Sequence, residues 1–274
     1  MTPWGIEPQL VLELAALGLI TGFLAGLLGI GGGMMMVPVL TRLLTQRGVS
    51  SDLAVKMAIA TAMATILFTS LATMRSHQRR GAIRWDIVRG LAPGIMLGGL
   101  AAGAGVFALV KGQTLALSFA AFVIYSATRM LRARTTTASR QLPATAGLVA
   151  AGSGIGLLAG LVGAGGAFIA VPFMSRCNVP MHNAVATGAA IGFPVALAST
   201  AGYVIGGWSQ PAPLPGVLGF LYLPALVVIA LASVAVAPLG ARAAHALNVR
   251  QLRQIFAVML YAVAADMLWR GLVT

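Results

Sequence analysis

The chain has 274 residues, 59% of them hydrophobic and only 8% charged, with a net charge of +13. A water-soluble protein carries about 25% charged residues, so a soluble domain is excluded and a polytopic membrane protein is indicated. The basic residues fall between apolar stretches, which suits cytoplasmic loops facing anionic lipid and argues against a nucleic-acid partner; the single cysteine, Cys177, excludes an intrachain disulfide and reads as a small buried hydrophobe.

In chain order, the first apolar stretch covers about residues 10–29. Residues 1–41 contain no Lys or Arg, so this stretch lacks the basic region of a signal peptide and reads as a true span. A short apolar piece follows at 33–45, then spans at 53–75, 88–109 and 113–132. Each long stretch approaches the ~20 residues needed to cross a bilayer. The polar segment Arg132–Pro143 is the one clear linker. Beyond it the pattern resumes at 143–163, 167–176, 183–206, 217–241 and 251–272, where 167–176 is again short. The expected organisation is all-α: a first transmembrane repeat (1–131), a basic linker (132–142) and a second transmembrane repeat (143–274), with about five helical elements in each repeat.

The repetition rests on a glycine pattern. GLITGFLAGLLGIGGGMMMVPVL (18–40) and GSGIGLLAGLVGAGGAFIAVPFM (152–174) are identical at 11 of 23 positions. Weaker echoes follow: Ala54-Val55 with Ala184-Val185, Ser70 with Ser199, Pro93 with Pro224, and Tyr125 with Tyr261. Gly18, Gly22 and Gly26, like Gly152, Gly156 and Gly160, recur every four residues and let another helix approach closely. Gly29, Gly31, Gly32 and Gly33, and Gly163, Gly165 and Gly166, read differently. Each helix-interior glycine costs ~1 kcal/mol, and irregular backbone at membrane depth is tolerated only inside protein or at a polar cavity. A half-helix starting after each break aims free N–H groups and its positive dipole end at that cavity, an arrangement that suits an anion. The competing reading is a kink that serves packing alone. A nucleotide-binding loop is excluded, because neither copy follows a strand or has the required spacing to an acidic ribose partner.

The short pieces decide the topology. Twelve helical residues span only ~18 Å, roughly half a bilayer. If they are re-entrant, each half crosses so that the two repeats are inverted and the N-terminus lies outside, in the periplasm. Arg75, Arg79, Arg80, Arg84, Arg89, Arg129, Arg132, Arg134, Arg140, Arg176, Arg242, Arg250 and Arg253 then lie inside, 13 of the 18 basic residues. A parallel arrangement gives only 10 against 8. The positive-inside rule favours inversion, with an uncharged outer loop at 206–216 in which Trp208 suits a membrane interface.

The acidic residues are only Glu7, Glu13, Asp52, Asp86 and Asp266. Cation pathways usually need intramembrane carboxylates, so an anionic solute is favoured. Asp266 is expected near Arg270 at an interface, and Asp52 as a helix cap. Lys56 reads either as a snorkelling lysine or as an anion-attracting charge at a cavity mouth. His182 and Asn183 stand at a helix entry. Thr61, Thr65, Thr69, Ser70, Thr187, Ser199 and Thr200 are hydroxyls that donate to an oxyanion or back to their own helix. Met34–Met36 read as gap-filling core. No metal-ligand cluster and no acid/base constellation is visible, so neither an enzyme nor a cofactor is expected. The candidate substrate-binding set is therefore Gly29, Gly31, Gly32, Gly33, Gly163, Gly165, Gly166, Thr61, Thr65, Thr187, Asn183 and Lys56.

The doubled glycine segment, with AVKMAIATA, NAVATGAAI, the Arg79-Arg80-Gly81 loop, Pro224 and the downstream APLGARAAHAL, resembles the TauE/SafE sulfite exporter family of membrane permeases over almost the whole chain. The resemblance implies transport of small sulfur-containing anions such as sulfite, thiosulfate or organosulfonates across the bacterial inner membrane. It also implies a central site at Gly29–Gly33 and Gly163–Gly166. One departure is Ala167 where the first copy has Gly33. Read together, residues and resemblance point to a secondary transporter working by alternating access. An anion channel or a non-transporting membrane subunit are the rival readings. The oligomeric state is not legible.

Overall fold

A computed structural model describes residues 7–28, 32–131, 141–243 and 249–273. Gly29, Gly31 and residues 132–140 of the linker lie outside the described residues. The first half contains α1 (Pro8–Leu28), α2 (Gly33–Gln46), α3 (Ser51–Gln78), α4 (Trp85–Leu109, with a π-helical turn at Ala102–Val106) and α5 (Gly112–Leu131). The second contains α6 (Thr145–Val162), α7 (Ala167–Arg176), α8 (Met181–Gly207), a hairpin of β1 (Val217–Leu218) and β2 (Leu221–Tyr222), then α9 (Leu223–Ala243) and α10 (Val249–Val273). Each helix of the first half therefore has its counterpart five places later.

Among the described residues, α1, α3, α4, α6, α8 and α9 are long and apolar enough to cross a membrane. The chain is an all-α polytopic membrane protein. α5 and α10 are long but less apolar, and they pack on each other. Thr128 on α5 meets the Tyr261 hydroxyl of α10 at 2.6 Å, and Gln113 Nε2 donates to Gly271 O at 2.8 Å. Start therefore meets end, and the two helices run in opposite directions.

One expectation needs correction. The apolar run at 217–241 was expected to be one span, but its first residues form the hairpin and the helix begins at Leu223. Gly219 (φ +59°) adopts the left-handed backbone that the tight turn needs and L-side chains resist, and Gly216 (φ +81°), just ahead of β1, does the same. Phe220, Leu221 and Tyr222 are buried, so the hairpin dips into the protein.

The packing exchanges elements between halves: α1 lies along α9, and its counterpart α6 lies along α4. The four-residue glycine spacing makes this possible. A Cβ on Gly152 or Gly156 of α6 would fall on the carbonyl oxygens of Leu91 or Ile95 of α4, while one on Gly94 or Gly98 of α4 would fall on those of Val149 or Ser153. Backbones in such contact gain dispersion that larger residues would forfeit. On the other side, a Cβ on Gly18 would lie 2.7 Å from Ala232 Cβ, and Ser233 Oγ donates to Gly18 O at 2.9 Å. The expected tight packing between the halves is thus present. At the centre α3 crosses α8, with Ser70 beside Gly192.

Candidate functional site

Both glycine breaks abut α3. α6 ends where Gly163 turns left-handed (φ +69°), its N–H bonded to Ala159 O, and α7 begins at Ala167. A Cβ on Gly163 would lie 2.6 Å from Ile59 Cγ2. A Cβ on Gly33, the first residue of α2, would lie 2.6 Å from Ile66 Cδ1 and 3.6 Å from Gly163 O. The structure thus brings Gly33 and Gly163, one from each half, together beneath a seven-residue face of α3. Gly32 packs against the backbone of Thr21, which shows α2 folding back along α1. Gly166 packs against Val195 and Ile191 of α8. Gly165 is buried in the same break.

The polar candidates divide by partner. Thr65 Oγ1 donates to Thr61 O at 2.9 Å, the within-helix bond that hydroxyls commonly make. Thr61 Oγ1 accepts the backbone N–H of Tyr222 at 3.1 Å. Thr187 Oγ1 accepts the N–H of Arg84 at 3.0 Å, and Asn183 Nδ2 donates to Ala82 O at 2.8 Å. Thr61 and Thr187 therefore hold chain segments of the opposite half and stand apart from each other. Lys56 is buried. Its Nζ donates to Ala108 O in the last turn of α4 at 3.2 Å, pairs with Asp52 at 3.5 Å, and stands 5.9 Å from the centre of the Phe220 ring. A cation there complements the negative end of α4.

Other side chains settle around this frame. Asp52, expected to cap α3, lies in the first turn of that helix and accepts the N–H of Gly112, so it caps α5 instead. Asp266 pairs with Arg270 at 2.8 Å. Met34, Met36 and Cys177 are buried. Outside the spans, the hydrogen bond from Arg84 to Asp86 holds the Arg84 guanidinium above its usual pKa. A cavity of ≈ 150 Å³ with Thr41, Asp52, Lys111 and Gln113 in its wall sits beside the start of α5. Sequence reasoning missed the aromatic cluster in which Phe107 lies between Tyr203 (4.5 Å) and Phe220 (5.6 Å), because these rings come from three distant segments.

Residues 14–267, almost the entire chain, match the family described as Sulfite exporter TauE/SafE. The chain belongs to the TauE/SafE family. A "Probable membrane transporter protein" of Haemophilus influenzae is 34% identical over 253 residues, covering 91% of this chain and 95% of that protein. No solved structure matches. As a TauE/SafE protein the chain is a multi-pass membrane protein of a transporter family, which agrees with its six apolar helices and the paired breaks.

Proposed function

We propose that this TauE/SafE protein is a secondary transporter that moves small sulfur-containing anions, such as sulfite, thiosulfate or organosulfonates, across the bacterial inner membrane by alternating access. The observation that carries the reading is the meeting of Gly33 and Gly163 against α3, because two backbone breaks in corresponding places mark the binding region of transporters built from repeats. N–H groups at the starts of α2 and α7, with nearby hydroxyls, are the donors for an oxyanion.

Helix directions support inverted repeats, and the excess of basic residues in the loops of one face supports an outer N-terminus. Arg47, just past the end of α2, pairs with Glu13 near the start of α1 at 3.9 Å, so the short helix returns toward the side from which α1 entered. The segment after α3 bonds to the start of α8, and the segment after α8 bonds to α3 at Thr61, so these equivalent helices run in opposite directions. Parallel repeats require them to run the same way.

Purified protein in proteoliposomes should give saturable uptake of at least one labelled sulfur oxyanion or sulfonate. Flux equal to empty liposomes for all of them refutes the reading, and flux that never saturates identifies a channel instead.

A further inference from the structure

Arg84 is the last residue before α4, and Tyr222 is the last residue before α9. Each donates its backbone N–H to a fully buried threonine on the third helix of the opposite half: Arg84 to Thr187 at 3.0 Å and Tyr222 to Thr61 at 3.1 Å. The two contacts are counterparts, yet the threonines are not. With Ala54-Val55 set on Ala184-Val185, Thr61 falls on Ile191 and Thr187 on Met57. The halves make the same bond from different registers. Thr61 lies ten residues into α3, about 15 Å from its start, and Thr187 lies six residues into α8, about 9 Å from its start. The deeper register on one side is set by the hairpin, which carries Tyr222 inward.

Because α3 and α8 run in opposite directions, the two bonds sit toward opposite ends of the crossed pair. Each has a second tie: Asn183 to Ala82 O on one side, and Lys56 beside the Phe220 ring on the other. Both are closed in this structure, and Gly32, Gly33 and residues 163–166 between them are buried. A backbone N–H held by one neutral hydroxyl contributes little net stability, since water or an anion replaces the acceptor at low cost. That is the property of a closure that must open repeatedly.

We propose that these two cross-half bonds are the latches of the two gates. The hairpin 217–222 closes the face where α3 begins, the segment 82–84 closes the face where α3 ends, and they open in alternation. The proposal rests on the carrier reading above and adds the moving parts.

The test uses the full chain with Cys177→Ala and a single reporter, Ile66→Cys, beside the break. A membrane-impermeant thiol reagent is added to one face of oriented vesicles at a time. Thr61→Val should raise labelling about tenfold from the α3-start face only, and Thr187→Val by a similar factor from the opposite face only. Thr61→Ser and Thr187→Ser should label like the parent. Increases from both faces, from the same face for both variants, or from neither overturn the proposal. If the valine variants do not fold, the pairs Thr61→Cys with Tyr222→Cys and Arg84→Cys with Thr187→Cys replace them. Cross-linking either pair should abolish flux and reductant should restore it, and unchanged flux through a fully cross-linked protein overturns the gates. Labelling needs no substrate. One-sided labelling without sulfur-anion flux leaves the gates standing and removes the substrate assignment, whereas saturable flux with two-sided labelling does the reverse.

Discussion

Gly156 and Gly154 lie two residues apart on α6 and should respond oppositely to alanine. At Gly156 a new Cβ falls on Ile95 O and lies 2.8 Å from Gly99 N and 3.0 Å from Ile95 C. Non-bonded heavy atoms rest at about 3.5 Å, so α4 has to withdraw by roughly 1 Å along a contact made of backbone, where no side chain can rotate away. Overpacking of this kind costs about 1–3 kcal/mol, and the helix propensity gained on replacing glycine returns at most ~1 kcal/mol. The net expectation is a loss of about 1–2 kcal/mol, or several degrees of melting temperature at roughly 2–4 °C per kcal/mol for a chain of this size. Gly154 is exposed and a Cβ there meets nothing within 4 Å, so Gly154→Ala keeps only the propensity gain. Thermal unfolding of the purified variants in one detergent compares them directly. Equal melting temperatures for Gly156→Ala and Gly154→Ala would falsify the close-packing account of the four-residue glycine spacing.

Gly163→Ala faces two penalties, the left-handed backbone at about 1–2 kcal/mol and the contact with Ile59. Measured against Ile59→Ala alone, Gly163→Ala in the Ile59→Ala background should still cost the conformational part, and no remaining cost in thermal unfolding refutes a conformational role for this glycine. Tyr261→Phe removes one of the two hydrogen bonds described between α5 and α10. Thr128 Oγ1 also donates to Ile124 O at 2.8 Å, so the tyrosine hydroxyl is the donor to Thr128; the loss should be about 1 kcal/mol, with non-additivity in the cycle with Thr128→Val. Asp86→Asn breaks an exposed pair with Arg84 and should change stability by less than about 1 kcal/mol. A larger drop in the melting temperature means that the pair holds the start of α4.

The spans and both half-helices were legible because length and glycine punctuation are local signals. α2 and α7 begin at the expected residues, Gly33 and Ala167. Three features were not legible, each for a physical reason. The hairpin hides in an apolar run, and only Gly216 and Gly219 mark it. The π-helical turn at Ala102–Val106 leaves no local sign beyond Gly103 and Gly105. Above all, periodicity cannot tell which hydroxyls already have partners. Thr61 and Thr187 looked like free donors on apolar helices, yet each accepts a bond from a residue more than a hundred positions away.

The two halves share a framework and differ in chemistry. Ala167 stands where the first half has Gly33, and α8 presents Gly188 to it, 3.3 Å from a Cβ built there, where α3 carries Ala58. The methyl thus sits on the third helix in the first half and on the short helix in the second. Polarity is divided in the same way. The hairpin side is tied by a cation, Lys56, whose counterpart on the opposite side is Ala186, and that side is tied by the neutral amide of Asn183. On the hairpin side Lys56 is paired with Asp52, and on the other side Arg84 is paired with Asp86, so each side carries a cation beside its bond. The two sides differ in how that cation is placed: Lys56 is buried between helices, whereas Arg84 stands exposed just ahead of α4.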